Sequence, residues 1–290
     1  MWLSRFVSAL ALGVALISGP AAFAKPPVWI VRSGATTILL FGSIHLLPPG
    51  LDWRPPELDA ALAKADEVWF ELPITPATDN EASAQSIARG ALPKGHSLTA
   101  MMTPDEAKRL VVAGLSLNCA PEALDRMQPW MADLTLSIAA DARSGASASE
   151  GVEGLIEAMT PATTRQRAFE TATQQIGFLA GAPVKDQLAS LNLTVSQIQD
   201  DPTSYQRVVQ EWMSGDLPGL ERDAIDPLRQ ISPTMLGRLI DERNQHWASV
   251  LSARLKKPGH VVVVVGVGHL IGPGGVPALL RAKGYAVDGP

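Results

Sequence analysis

The chain has 290 residues with 24 basic and 29 acidic side chains, five histidines and one cysteine, giving a formal net charge of −5. That mild acidity argues against nucleic acid or an anionic membrane as the main partner. The lone Cys119 excludes an intramolecular disulfide, so the fold must rest on a core drawn from the 46% hydrophobic residues.

Residues 1–24 carry one charge, Arg5, followed by an apolar run from Phe6 to Ser18, then Gly19-Pro20 and the small-residue ending Ala22-Phe23-Ala24. That order is a secretory signal, cut after Ala24, and it places the mature chain in the periplasm or outside the cell. The run is short for a span of about 20 residues, so no stable membrane span is expected after cleavage. The mature chain, 25–290, is expected to form a single domain. Its one flexible-looking joint is the short segment Ser144–Ser149.

In chain order, Val28–Arg32 and Thr36–Phe41 read as strands joined by a tight turn at Ser33-Gly34. Pro55–Ala65 reads as a helix and Glu67–Leu72 as a short buried strand stopped by Pro73. Thr103-Pro-Asp-Glu106 is a capping box opening a helix toward Leu115. Further helices are expected near 121–142, 151–159, 183–193 and 202–213, with a strand candidate at 165–169. Asp201 is expected to cap the 202–213 helix and Gly215 to end it. A long helix starts at Ser232-Pro233 and stops before Pro258-Gly259; the five consecutive valines 261–265 then fit a strand buried on both faces. The chain finishes as a helix, Gly275–Lys283, and a strand, Tyr285–Val287. The fold class expected is therefore α/β, a central mixed sheet flanked by helices with a largely helical middle insertion at about 98–255.

Two segments far apart in sequence share one construction. After the second strand come Gly42-Ser43-Ile44-His45 and a Pro-Pro-Gly turn; after the valine strand come Gly266-Val267-Gly268-His269 and a Gly-Pro-Gly turn. In α/β sheets ligands collect beyond the carboxyl ends of strands, so both imidazoles are expected in one crevice. A single histidine there most often only caps a strand; a matched pair shifts the balance toward a site. Glu71 ends an otherwise apolar strand and needs a cation, a metal or a proton if buried. Glu170 has a similar setting after Phe169. Arg243 lies on the apolar stripe of the long helix, next to Asn244 and one turn before Trp247, where it could pair with a buried carboxylate or face a developing oxyanion.

Taken together, the strand ending at His45, the "EVWFEL" strand, Arg243-Asn244 with Trp247, and "VVGVGHLIGPGGVPALLRAKGYAV" resemble the TraB/GumN family, which includes the Tiki proteases. The resemblance spans nearly all of the mature chain. It implies an α/β domain with two G-x-x-H motifs, similar in layout to the erythromycin esterase and ChaN-like folds. It also implies a metal-dependent hydrolase or protease activity. By motif, His45 and His269 become the histidine pair, Glu71 and Glu170 the acids, and Arg243 and Asn244 the helix pair. Ser43 stands where the family has threonine. Gly151-Val152-Glu153 stands where it has Gly-Leu-Asp, leaving the role of Glu153 open.

The expected chemistry is hydrolysis of a peptide or ester. His45, His269 and Glu71 would hold a divalent manganese, cobalt, zinc or iron ion, and Arg243 would stabilise an oxyanion. Without a metal, Glu71 and His45 could share a general-base role on free water. The rival from another class is a non-catalytic periplasmic protein that sequesters a peptide or small ligand in the same crevice.

Overall fold

The computed structural model describes residues 25–290, and the expected leader lies outside the described residues. Six strands form one mixed sheet: β1 (Val28–Ser33), β2 (Thr36–Ser43), β3 (Glu67–Phe70), β4 (Arg165–Ala168), β5 (Gly259–Gly266) and β6 (Ala286–Asp288), in the order β4-β3-β5-β2-β1-β6. β4, β3, β5 and β2 run parallel. β1 turns back on β2 as a hairpin, and β6 closes the sheet antiparallel to β1.

The central position of β5 follows from its composition. Val261–Val265 are all buried, and β-branched side chains on both faces suit a strand that pairs with β2 on one edge and β3 on the other. Around it a core of Leu40, Phe41, Val68, Phe70, Trp247 and Leu251 joins the sheet to the long carboxyl-terminal helix. Trp212 packs against Phe41 and Trp53 and donates its indole N–H to the Gly42 carbonyl at 2.8 Å, pinning the end of β2.

The middle of the chain is helical, with a second apolar cluster including Leu98, Leu110, Leu124, Leu136, Leu191 and Val195, distinct from the sheet core. The middle is largely helical as expected, and the strand candidate at 165–169 forms as β4, which returns to the sheet edge. Helicity also begins earlier, at Pro76–Gly90. Neither that helix nor Ala172–Ala180 is visible in hydrophobic periodicity: each fully buries only two positions, Thr78 and Gly90 in the first and Ala172 and Ile176 in the second. The capping box at Thr103 and Glu106 forms as expected. Gly215 takes a left-handed conformation at the end of Ser204–Ser214, but Asp201 pairs with Arg207 instead of capping that helix.

The long helix is not uniform. It opens on Ser232, whose hydroxyl accepts from the Met235 N–H, then widens to a π turn over Gly237–Asp241 before Glu242–Arg254. A π turn inserts one residue, so everything after it rotates by about 100° relative to an unbroken α-helix. In the segment after it, Arg243, Asn244 and Trp247 share the buried face.

The sheet core sets the stability of this scaffold. Leu40→Ala, at a fully buried position, is expected to lower the unfolding free energy by about 2–5 kcal/mol. Ile87→Ala, on an exposed helix face, should change it by less than about 0.5 kcal/mol. Equal denaturant midpoints for the two variants would contradict the assigned core.

Candidate functional site

The register of the sheet carries four chemical groups to one edge. Ser43 pairs with Gly266, and Phe70 with both Val264 and Ala168. Just beyond these strand ends stand His45, His269, Glu71 and Glu170. The backbone continues the alignment, since the Glu170 N–H donates to the Glu71 carbonyl at 2.9 Å.

Arg243 enters this edge from the helix and is 7% exposed. Its Nε donates to Glu170 Oε1 at 2.7 Å, and its Nη2 donates to Glu71 Oε2 at 2.6 Å and to Glu170 Oε2 at 2.9 Å. Nη1 meets the Leu239 carbonyl at 2.9 Å and His269 Nε2 at 3.1 Å. Five acceptors thus face the five N–H donors of one guanidinium, and none is left to point at a substrate. Trp247 lies under the cation, 4.8 Å from its carbon, and gives its own N–H to Glu170 Oε1 at 3.0 Å.

The tautomer of His269 follows from its neighbours. The Asn244 amide donates to the Gly274 carbonyl, so its oxygen faces His269 Nδ1, 2.6 Å away, and Nδ1 carries the proton. Nε2 is then an acceptor, occupied by the Arg243 N–H. Glu71 is equally engaged: Oε1 accepts from the Gly266 N–H at 2.8 Å, while Oε2 accepts from Arg243 and from Gln175 at 3.2 Å. A Cβ on Gly266 would lie 3.3 Å from Glu71 Oε1 and 3.8 Å from His45 Nε2, so this residue keeps the space between the acid and the histidine clear.

His45 has a different partner. Its Nδ1 lies 2.7 Å from Glu153 Oε1, and that oxygen also accepts from the Ser43 hydroxyl at 2.5 Å. Gly151 makes this possible. A Cβ there would fall 2.1 Å from the His45 carbonyl oxygen, and the next residue, Val152, donates its N–H to the Ile44 carbonyl. The Gly151-Val152-Glu153 segment therefore lies flush against the turn after β2. Glu153 is the residue whose role the sequence left open, and its signal was its place beside buried Val152 in the first turn of a helix.

Charge states follow from these contacts. Burial alone would raise the Glu71 carboxyl, but His269, Arg243, His45 and the Gly266 N–H outweigh it and hold it at about 2. Burial drives His269 down to about 3, against the pull of Glu71 and with the help of Arg243 and His45. His269 is therefore neutral at neutral pH, and Arg243, with protonated His45, supplies the charge that stabilises Glu71 there. The Glu153 carboxylate raises His45 to about 9, against the opposing effect of burial. The His45 side chain is still 61% exposed, at the mouth of a crevice.

These contacts correct the expectation of a divalent-metal hydrolase. Among the described residues, no group of three or more His, Cys, Asp and Glu side chains is disposed to hold a metal ion. The physical reason is occupancy of the lone pairs: the Nε2 that His269 would offer accepts from Arg243, Glu71 is filled by three donors, and His45 is bound to Glu153. The residues that sequence reasoning assigned to manganese, cobalt, zinc or iron do converge, but a guanidinium is the cation they surround. The metalloprotease-like reading and the oxyanion role of Arg243 lapse with it.

The crevice is about 340 Å³, lined by His45, Glu71, Glu153 and Gln175 and by the segment from Phe70 to Ile74. The fold and site define a class: a mixed α/β sheet with a polar crevice where its parallel strands end, backed by a saturated arginine. The chain belongs to the TraB/PrgY/gumN family, whose pattern it matches over residues 27–289. It is 24% identical over 257 residues to the protein described as "Uncharacterized protein YbaP" of Escherichia coli (strain K12), covering 88% of this chain and 92% of that one. The Shigella flexneri protein of the same description matches to the same extent. No solved structure gives a significant match.

Two predictions follow from the polar cluster. Arg243→Met strands two carboxylates that are 8% and 4% exposed, at an expected cost of about 3–5 kcal/mol. Arg243→Lys should recover only part of this, since three donors replace five; full recovery in a denaturant titration would show that charge alone suffices.

The pH dependence has two limbs of opposite origin. Because folded His269 resists the proton that the unfolded chain accepts near 6.5, stability falls as pH drops from 6.5 toward about 3. Because folded His45 holds its proton to about 9, its contribution is full below 6.5 and is lost as pH rises through 9. Glu153→Gln should flatten the alkaline limb in urea midpoints measured across this range; an unchanged limb would disconnect Glu153 from His45.

Proposed function

We propose that this chain is a ligand-sequestering protein that holds a peptide or small molecule in the crevice at the carboxyl edge of its sheet without turning it over. The observation that carries the reading is a crevice of about 340 Å³ whose acid at the strand end, Glu71, is already satisfied from within the protein. A site held in this way is rigid and shaped, which suits binding with little reorganisation. The groups that would have to attack or stabilise a reacting centre are spent on one another.

A larger hollow of about 690 Å³ lies along β3 and β4 against the end of the Glu242–Arg254 helix, lined by residues such as Trp69, Arg165 and Arg254. None of the groups that converge on the carboxyl edge reaches it, so it is not the preferred site. We take the layout to be that of the erythromycin esterase and ChaN-like folds, the mature chain 25–290 to act as one domain, and its place of action to be the periplasm or the exterior. Among the described residues no helix is long and apolar enough to cross a membrane.

Gly154 offers a clean test. It lines the crevice, and a Cβ there meets nothing within 4 Å, so Gly154→Trp should fill the site without disturbing the backbone. Calorimetric screening of short peptides and small metabolites should give ligands that the wild type binds, that Gly154→Trp loses, and that mass spectrometry recovers intact. Ligands recovered cleaved, or bound equally by the blocked variant, would refute the proposal.

A further inference from the structure

We infer that the crevice selects a protonated amine carried on an apolar frame. This inference rests on the crevice being the binding site and adds the chemical class of its ligand. The wall from β3 onward, Phe70, Leu72, Pro73 and Ile74, is apolar. Set into it are three carboxylates, Glu71, Asp79 and Glu153, and among the described residues the only basic side chain in the lining is His45.

That imbalance is not repaired from behind. Arg243 backs Glu71 but also pairs with Glu170, so the deeper layer adds one cation and one anion. His45 is bound to Glu153. Carboxylates outnumber cations whichever protonation state His45 holds, and an anionic ligand would meet net repulsion in a partly enclosed space.

Acceptors are available as well as charge. Glu153 Oε1 takes the Ser43 hydroxyl and His45, and among the described residues no other side chain donates to Oε2. Asp79 sits exposed in the first turn of the Pro76–Gly90 helix, on the crevice rim, with its carboxylate open to a visiting donor. An ammonium group is a donor with no acceptor, so it complements these oxygens, while the Phe70–Ile74 wall takes the attached apolar body. A small alkyl or aryl amine and the free amino terminus of an apolar peptide share this chemistry.

The experiment is calorimetry at neutral pH and low salt on the purified protein with hexylamine, hexanol and hexanoate, beside leucyl-leucinamide and its N-acetyl form. Hexylamine is expected to bind about tenfold or more tightly than hexanol, the equivalent of about one charge-assisted hydrogen bond, with hexanoate weakest. Glu153→Gln and Asp79→Asn should each erode that preference, lowering hexylamine affinity by a larger factor than hexanol affinity. Asp79 is exposed, so its variant keeps the test open if Glu153→Gln fails to fold. A preference for the free over the acetylated dipeptide identifies a peptide amino terminus as the source; equal binding of the two beside tight hexylamine identifies a small amine.

Hexanol binding as tightly as hexylamine, with both lost in Gly154→Trp, overturns the amine inference and leaves the crevice as a site. Probes that bind but ignore Gly154→Trp, or no binding by any probe, overturn the inference together with the site.

Discussion

Arg243 donates all five of its N–H groups inward, to Glu71, Glu170, His269 and a carbonyl of its own helix. Desolvating a guanidinium and two carboxylates is costly, and geometry of this completeness is what makes such a burial tolerable. The surrounding structure is arranged to secure it. The π turn over Gly237–Asp241 supplies the Leu239 carbonyl to Arg243, Trp247 supports the cation, and the close approach of β5 to β3 brings Gly266 within reach of Glu71. A packed column of Trp69, Phe169, Trp247 and His269, with ring centroids 4.4–5.2 Å apart, stiffens the whole edge.

The two histidines look equivalent in sequence and end in opposite situations. His269 is buried, neutral and enclosed by Asn244 and Arg243. His45 is at the crevice mouth, paired with Glu153 and held protonated to about 9. One belongs to the foundation and the other to the surface a ligand would meet. The difference comes from what each strand end finds opposite it: a helix carrying Arg243 in one case, a glycine-led turn carrying Glu153 in the other.

Much of this was legible from residues alone. The valine strand, the two G-x-x-H turns, Glu71 and Glu170 at strand ends, and Arg243 on an apolar stripe all followed from periodicity and the rule that sites lie beyond the carboxyl ends of parallel strands. The pairing of Glu153 with His45 was not legible, because it depends on a close approach between Gly151 and the His45 carbonyl more than a hundred residues away in sequence. The π turn was likewise invisible, since the spacing of Leu236, Leu239, Ile240 and Arg243 reads as an ordinary α stripe. The metal reading failed for a related reason. Residue types disclose which lone pairs exist but not which donor already occupies them, and the sequence signature of a metal site and of a buried Arg–Glu–His cluster is the same.

The central claim is that Arg243 takes the position a metal would need, and the protonation pattern of His269 tests it most directly. Long-range ¹⁵N–¹H NMR on histidine-labelled protein near neutral pH should show His269 neutral, with its proton on Nδ1 and Nε2 as a hydrogen-bond acceptor, and unchanged when zinc or manganese is added. An imidazolium, a proton on Nε2, or a shift of Nε2 on metal addition would contradict it.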